Sequence, residues 1–246
     1  MPEMRVSQLW RYPVKSLKGE TLTSATLTSD GVEGDRVVHV AGLKGPLTGR
    51  TRHGLLTVAA TTGPDRVPQV DGYRWDSEHA AELVHQHAGP GARLVADRSP
   101  ERFDILNLLV ATDGAVERFG HDVRRLRPNV VISGIAADLE PELPGTALAI
   151  GDALIGVHSV RQRCIVTTVD PDTGHQDLDV LRRIRDVFGN ELALNAWVIR
   201  GGVVTIGDSV EVVPLRELPD RIGGWIVGAP YPHVQTDECG TRGLTR

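Results

Sequence analysis

The densest run of chemistry-bearing side chains in this 246-residue sequence is Arg161 to Gly174, RQRCIVTTVDPDTG. Arg161 and Arg163 flank Cys164, and neighbouring guanidinium groups favour a thiolate, the form that attacks an electrophile or binds a soft metal. A cysteine is also a small core-filling residue, so Cys164 reads either as a ligand or as packing. Asp170 and Asp172 stand in the turn-rich segment that follows. They are candidates for donating or orienting a proton, and equally for shaping the turn itself.

Two further groups could face an anion. Tyr12-Pro13-Val14-Lys15-Ser16 is followed by Gly34-Asp35-Arg36; Pro13 stops a strand, Lys15 and Ser16 then fall in a loop, and Arg36 can add a bidentate fork. Val110-Ala111-Thr112-Asp113 precedes Arg127-Pro128-Asn129. Thr112 is placed as a helix N-cap, and the N–H groups just after it are free to meet a phosphate. The clusters Arg124, Arg125, Arg127 and Arg182, Arg183, Arg185 either supply countercharge or form the solvated sides of helices. His79, His85 and His87 do not share one helical face and read as surface residues. No P-loop, GxSxG or paired-cysteine zinc pattern occurs, which sets aside nucleotide hydrolysis and structural zinc.

Holding these loops in place requires many short strands, because 27 Gly and 15 Pro recur between β-branched runs. Strands are expected over 6–10, 22–27, 36–40, 55–60, 93–96 and 106–111. In the second half they are expected over 129–133, 147–150, 153–160, 165–169, 192–199, 203–206 and 209–213. Ile150-Gly151-Asp152 and Ile206-Gly207-Asp208 read as hairpin turns. The periodicity predicts helices over 77–88, capped by Ser77, and over 177–188, capped by Asp177 and stopped by Gly189. Residues 113–126 read as a broken helix, interrupted by Gly114 and Gly120. The count of short strands points to a barrel or sandwich, mainly β with a few helices (α+β).

Lys and Arg number 27 against 32 Asp and Glu, a net charge of −5, which argues against a mainly electrostatic nucleic-acid or membrane binder. A hydrophobic fraction of 40% supports a substantial core. No uncharged run approaches the roughly 18 apolar residues of a membrane helix. The first twenty residues mix charge, Pro and Trp where a secretory signal needs an apolar stretch, so a cytoplasmic location is expected. Cys164 and Cys239 are too few for a disulfide framework or an iron–sulfur cluster. The apolar pattern lapses near Arg98-Ser99-Pro100 and again from Pro214, dividing the chain into 1–98, 99–213 and a tail over 214–246, with Trp225 as its anchor.

YPVKSLKGE, GDR, an ATD strand-to-helix step, LRPNVVISG, RCIVTTVDPDTG and a final IGD hairpin, in this order, resemble the MOSC family (molybdenum cofactor sulfurase C-terminal domain). The branch it is similar to carries its own N-terminal β-barrel region and includes the mitochondrial amidoxime-reducing component and bacterial relatives. The resemblance covers about residues 5 to 213. It implies a β-barrel MOSC domain over 99–213 and a smaller barrel-like region over 1–98. It implies molybdenum cofactor (Mo-molybdopterin), with Cys164 as metal ligand and catalytic centre; in a reductase built on it, Asp170 or Asp172 is the candidate proton donor or orienter, unless the pair only forms the turn. Lys15, Ser16, Arg36, Thr112, Asp113, Arg127, Asn129, Arg163 and Asn195 match cofactor-contacting positions. Relatives often have Ser-Glu where Thr112-Asp113 stands, and Ser where Gln162 stands. The implied activity is reduction of a small N-hydroxylated substrate, or an N- or S-oxide. Electrons would come from a separate donor protein of ferredoxin, flavin or cytochrome type. The alternative is a non-enzymatic carrier of molybdenum cofactor or sulfur. Without an upstream pyridoxal-phosphate lyase domain, a self-sufficient cofactor sulfurase is not expected.

Overall fold

The computed structural model describes residues 3–99 and 102–215, together with the backbone of Val234–Thr236 and Arg242–Leu244. Most of the expected tail, with Trp225 and Cys239, lies outside the described residues. The fold is mostly β, as the strand count implied. Its main sheet runs through the strands Val210–Pro214, Thr146–Ile150, Ala153–Gln162, Glu191–Arg200, Leu108–Thr112, Val130–Ser133, Arg5–Arg11 and Glu20–Leu22, each bonded to the next. A bridge between Arg5 and Ser209 joins the first strand of the chain to the last of the sheet. Val6 N donates to Asp208 O at 2.9 Å and Val210 N to Met4 O at 2.9 Å, so the sheet closes on itself as a barrel.

The barrel core draws on both halves of the sequence. Leu108, Val110, Val130, Ile132, Leu148, Ile155 and Leu194 pack with Val6, Leu9, Ala25 and Leu27. Alternation along each strand sends these residues inward. The longest strands, Ala153–Gln162 and Glu191–Arg200, pair along most of their length. Gly156 is required at their crossing, because a Cβ there would stand 2.6 Å from the Trp197 ring. Ile150 pairs with Ala153 across Gly151 and Asp152, which confirms that hairpin.

The smaller body gathers Val38–Gly42, Gly45–Leu47 and Arg93–Ala96 into one sheet and Ala60–Thr62, Pro68–Val70 and Tyr73–Arg74 into another. Helix α1 (Glu78–Ala88) packs Ala80, Val84 and Ala88 against Val40, Leu55 and Val70. Ser77 caps it, its hydroxyl accepting from Ala80 N at 3.2 Å. Helix α2 (Asp113–Phe119) stops at Gly120 in the left-handed region, and the broken helix resumes only as a 3-10 turn over Val123–Arg125. Helix α3 (Leu178–Phe188) is capped by Asp177 and ended by Gly189, and it buries Val180 and Ile184 against Phe119, Leu126 and Leu192. Arg182 and Arg185 pair with Asp179 and Asp186 on its solvent face.

Three expectations fail for physical reasons. Residues 55–60 and 165–169, read as strands, instead form the 3-10 turns His53–Thr57 and Ile165–Thr168. Thr57 Oγ1 donates to Gly54 O at 2.8 Å, Thr167 Oγ1 to Cys164 O at 2.8 Å and Thr168 Oγ1 to Ile165 O at 2.6 Å. These hydroxyls bond back three residues and favour the turn over the ladder that their β-branching predicts. Ile206-Gly207-Asp208 is a turn but not a hairpin. The strand before it, Gly202–Thr205, pairs with Ser24–Thr28, and the strand after it pairs with Thr146–Ile150.

Candidate functional site

A cleft lies between the barrel and the smaller body. Lys15, Ser16, Arg36, Arg50, Arg127, Arg161, Arg163 and Cys164 all line it, with Phe103 and Asp104 at its edge. Cys164 is extended (φ −134°, ψ 180°) where the strand Ala153–Gln162 gives way to the Ile165–Thr168 turn. The threonine bonds to its carbonyl turn the chain there, leaving the free Cys164 half-buried on the cleft wall.

The loop carrying Lys15 and Ser16 is tied down at both ends. Lys15 N donates to Val38 O at 2.8 Å, Lys18 N donates to Val58 O at 2.9 Å, and Leu17 is fully buried. Ser16, Arg36 and Arg127 all have left-handed backbone, with φ of 72°, 54° and 59°. Each such residue without glycine's freedom costs about 1–2 kcal/mol. Strain of this kind collects where a fixed side-chain direction is needed, and here it falls on three residues of one cleft.

Below the cleft floor sits Asp35, only 1% exposed. Tyr12 N donates to its Oδ1 at 2.7 Å, Asn129 Nδ2 donates to Oδ2 at 3.2 Å, and the Arg36 guanidinium pairs with Oδ2. Asn129 is thereby engaged as a clamp, since its Oδ1 also accepts from Leu109 N at 3.1 Å. The Tyr12 ring carries the Arg127 guanidinium at 4.2 Å and that of Arg36 at 5.0 Å, a stacking that holds two cations close together.

Burial pulls the Arg127 and Arg163 guanidinium groups down to about 10. Arg163 Nη2 donates to Leu126 O at 2.8 Å, but its Nε has no partner among the described residues, and neither has Arg127 Nη2; both atoms are shut from solvent. Buried donors of this kind cost about 1–3 kcal/mol each unless something accepts from them. Asn195 does not line the cleft. Its Oδ1 accepts from Arg161 Nη1 at 3.1 Å, and it orients that guanidinium from behind.

The structure does not bring Thr112, Asp113 or Asp170 to the cleft. Thr112 caps α2 and its hydroxyl donates to the buried Glu140 at 2.8 Å, while Asp113 accepts from Gly134 N at 2.9 Å and Ile135 N at 3.2 Å. Gly114 N donates to Asp113 Oδ1 at 2.8 Å and Ala115 N to Thr112 Oγ1 at 3.4 Å, so these first N–H groups of α2 are already engaged. Asp170 accepts from Thr173 N at 2.9 Å and Asp172 N at 3.0 Å and pairs with Arg125 at 2.9 Å. These bonds shape the turn, and the Thr173 backbone bond, chief among them, holds the Asp170 carboxyl below the usual carboxylate range. Asp172 pairs with Lys18 and Arg124 and is also held low. Arg124 and Arg125 line a neighbouring cavity with Trp10 and Tyr12; Leu56, Arg127 and Val166 are common to both cavities.

Sequence reasoning missed Arg50, Phe103 and Asp104 as cleft residues and Asp35 as its keystone. Only Asp35 had a signal, its place beside Arg36; the others lie in loops whose spacing carries no pattern. Among the described residues no three His, Cys, Asp or Glu side chains are arranged to hold a metal ion, and no helix is long and apolar enough to cross a membrane.

Residues 107–211 match the family model described as MOSC domain, and residues 3–74 match that described as MOSC N-terminal beta barrel domain. Mitochondrial amidoxime-reducing component 1 of Mus musculus is 25% identical across 83% of this chain and 81% of its own length. The Homo sapiens protein of the same name is 24% identical across 83% and 82%. The crystal structure of the YuaD protein from Bacillus subtilis aligns with a TM-score of 0.50 at 14% identity, covering 87% of this chain and 97% of that one, a likeness of fold alone.

Proposed function

We propose, from the premise that the chain joins a MOSC N-terminal beta barrel domain to a MOSC domain, that its cleft holds molybdenum cofactor and reduces N-hydroxylated compounds. One observation carries the reading. Among the described residues, a free thiol opens on a cleft lined by six cations, Lys15, Arg36, Arg50, Arg127, Arg161 and Arg163, with a single carboxylate, Asp104. Two buried guanidinium nitrogens in that lining lack an acceptor there, as expected of a site shaped for an anionic group.

The residues fit the cofactor. Cys164 offers a soft sulfur donor to the metal. With no cluster of three or more His, Cys, Asp or Glu side chains among the described residues, the metal would take most of its other donors from a non-protein chelate. Lys15, Ser16, Arg36, Arg127 and Arg163 would hold the anionic organic part, with Asn129 and Asn195 bracing them from behind. When bound, such a cofactor supplies a two-electron centre able to accept oxygen from an N–O bond. The chain's own part is to fix the thiol at the Ile165–Thr168 turn and to neutralise negative charge. Tyr12, Phe103 and Leu106 exclude water along the buried wall, and the neighbouring cavity beside Trp10 gives room for a substrate's body. Electrons would come from a separate donor protein, and the chain would act in the cytoplasm.

Turnover of an N-hydroxylated amidine by the metal-loaded full chain with an artificial electron donor is the expected result. A fully loaded chain inert toward a panel of such substrates and of N- and S-oxides overturns the reductase reading. Delivery of cofactor to an apo-enzyme without such turnover would instead identify a carrier, the role that an exchangeable ligand at the half-exposed Cys164 would serve.

A further inference from the structure

The cavity beside Trp10 is about 330 Å³, against about 160 Å³ for the cleft itself. That falls within the roughly 300–1,000 Å³ of small-ligand sites, at the end suited to a body of one or two rings. Its apolar walls are Trp10, Tyr12, Leu56, Val166, Val169 and Pro171. Trp10 and Tyr12 stand two residues apart along the first strand and its end, and so turn to the same side. Both rings are pinned, Trp10 Nε1 donating to Gln8 Oε1 at 3.0 Å and Tyr12 Oη to Pro128 O at 3.1 Å. Leu56, Arg127 and Val166 also line the cleft, so a ligand in this cavity can have one end at the thiol's cleft.

The charges around this cavity are already matched. Lys18 Nζ stands 3.0 Å from Asp172 Oδ1, Arg124 Nη2 stands 2.6 Å from Asp172 Oδ2, and Arg125 pairs with Asp170 at 2.9 Å. Arg127 is shared with the cleft, where the proposed function sets it against the cofactor's anionic part. An anionic ligand would have to break these pairs, and a cationic one would pass their ammonium and guanidinium groups. The lining therefore favours a neutral ligand. Glu20 is its one acid among the described residues. Both hydrogen bonds of Glu20 fall on a single oxygen, Arg11 Nε donating to Oε1 at 2.8 Å and Thr62 Oγ1 to Oε1 at 2.9 Å. They hold the carboxylate in place, 16% exposed, and leave Oε2 to accept from a ligand. Glu20 lines this cavity but not the cleft, so it meets the part of a ligand away from Cys164.

We infer that this cavity seats neutral N-hydroxylated compounds with a flat body of one or two rings, and that Glu20 determines specificity by selecting those with an N–H group on the ring. The inference rests on the reading of the cleft as a reductase site and names the class of substrate it takes. The aromatic and aliphatic walls strip water from the ring. An N–H donor on that ring regains at Glu20 Oε2 the hydrogen bond it gave up to enter. The same ring without the donor leaves Oε2 unsatisfied, and that difference is the basis of selection.

Binding is tested apart from the reaction. Benzamide and its 3- and 4-amino derivatives, neutral flat compounds with no N–O bond to reduce, are titrated into the cofactor-free full chain and followed by tryptophan fluorescence. The better amino derivative should bind about tenfold more tightly than benzamide. Glu20→Gln keeps an oxygen for Arg11 and Thr62 but turns an NH2 toward the ligand's donor, and should reduce that preference to within about twofold. Trp10→Phe should remove most of the fluorescence change. Asp186→Asn, which removes the partner of Arg185 on the solvent face of α3, should keep the wild-type preference. The inference is overturned if none of the three compounds binds, if neither amino derivative is preferred, if the preference survives Glu20→Gln, or if the signal survives Trp10→Phe. The metal-loaded chain is then assayed on the corresponding N-hydroxylated benzamidines, where the same Glu20-dependent preference should appear in kcat/KM. Turnover with no dependence on Glu20 keeps the reductase reading and overturns this inference. Glu20-dependent binding in a loaded chain without turnover keeps the ligand site and overturns the reductase reading instead.

Discussion

Removing the Asp35 carboxylate should damage this protein more than its single ion pair suggests. Asp35→Ala strips the acceptor from the Tyr12 N–H and the counter-charge from Arg36, and it leaves Asn129 Nδ2 only a long contact to Trp10 O at 3.4 Å. Deleting one member of a buried ion pair costs about 3–5 kcal/mol. An orphaned buried N–H costs about 1–3 kcal/mol, and the two losses overlap because they share one carboxylate. Arg36 keeps 15% exposure, which places the expected loss near the lower figure, about 3 kcal/mol. That is a large share of the roughly 5–15 kcal/mol typical of a folded protein. Asp35→Asn keeps the volume and one acceptor but not the charge, and should lose about 2 kcal/mol. Urea unfolding followed by tryptophan fluorescence, with an unchanged denaturant slope, measures both. A loss below about 1 kcal/mol for Asp35→Ala would refute the keystone argument, since the buried donors would then have found other partners.

Glu140→Gln should cost about 1–3 kcal/mol in the same assay. Both Glu140 oxygens accept, from Ala193 N at 2.8 Å and from Thr112 N at 3.0 Å, so an amide must turn a donor toward a donor. Arg127→Met should raise the thermal midpoint, equivalent to about 1–2 kcal/mol, while abolishing cofactor retention, because it replaces a buried guanidinium that has an unpaired nitrogen with an apolar chain of similar length. Burial alone would raise the Asp104 carboxyl, but Lys15, Arg50 and Arg161 outweigh it and hold it down to about 2, against an ordinary value of about 3.9. Its native-state stabilisation is therefore present above about pH 4 and lost as the pH falls toward 2. Urea midpoints of wild type and Asp104→Asn should converge on acidification over that range, and a constant gap would contradict the ion-pair geometry.

Caps and periodicity make the helices legible in the sequence. Ser77, Thr112 and Asp177 each cap the helix expected of them, and Gly120 and Gly189 end theirs in left-handed conformation. The thiol and much of its cationic surround are also legible, because Lys15, Ser16, Arg36, Arg127, Arg163 and Cys164 sit in compact motifs. What stays hidden depends on tertiary contact. Thr57, Thr167 and Thr168 bond backward and bend runs whose composition reads as strand. Thr112 and Asp113 turn inward because Glu140 and the Gly134-Ile135 backbone claim them. Arg50 and Asp104 meet only because two loops far apart in the chain converge on one cleft edge. The division near residue 98 marks a change of pattern, yet the first strand lies inside the barrel beside Val130–Ser133.

Elemental analysis of the full chain, purified from cells that make molybdenum cofactor, tests the central claim most directly. About one molybdenum per chain is expected in the wild type and almost none in Cys164→Ser, with the thermal midpoints of the two proteins matching when both are free of cofactor. Equal metal content in the two proteins, or none in either, would contradict it.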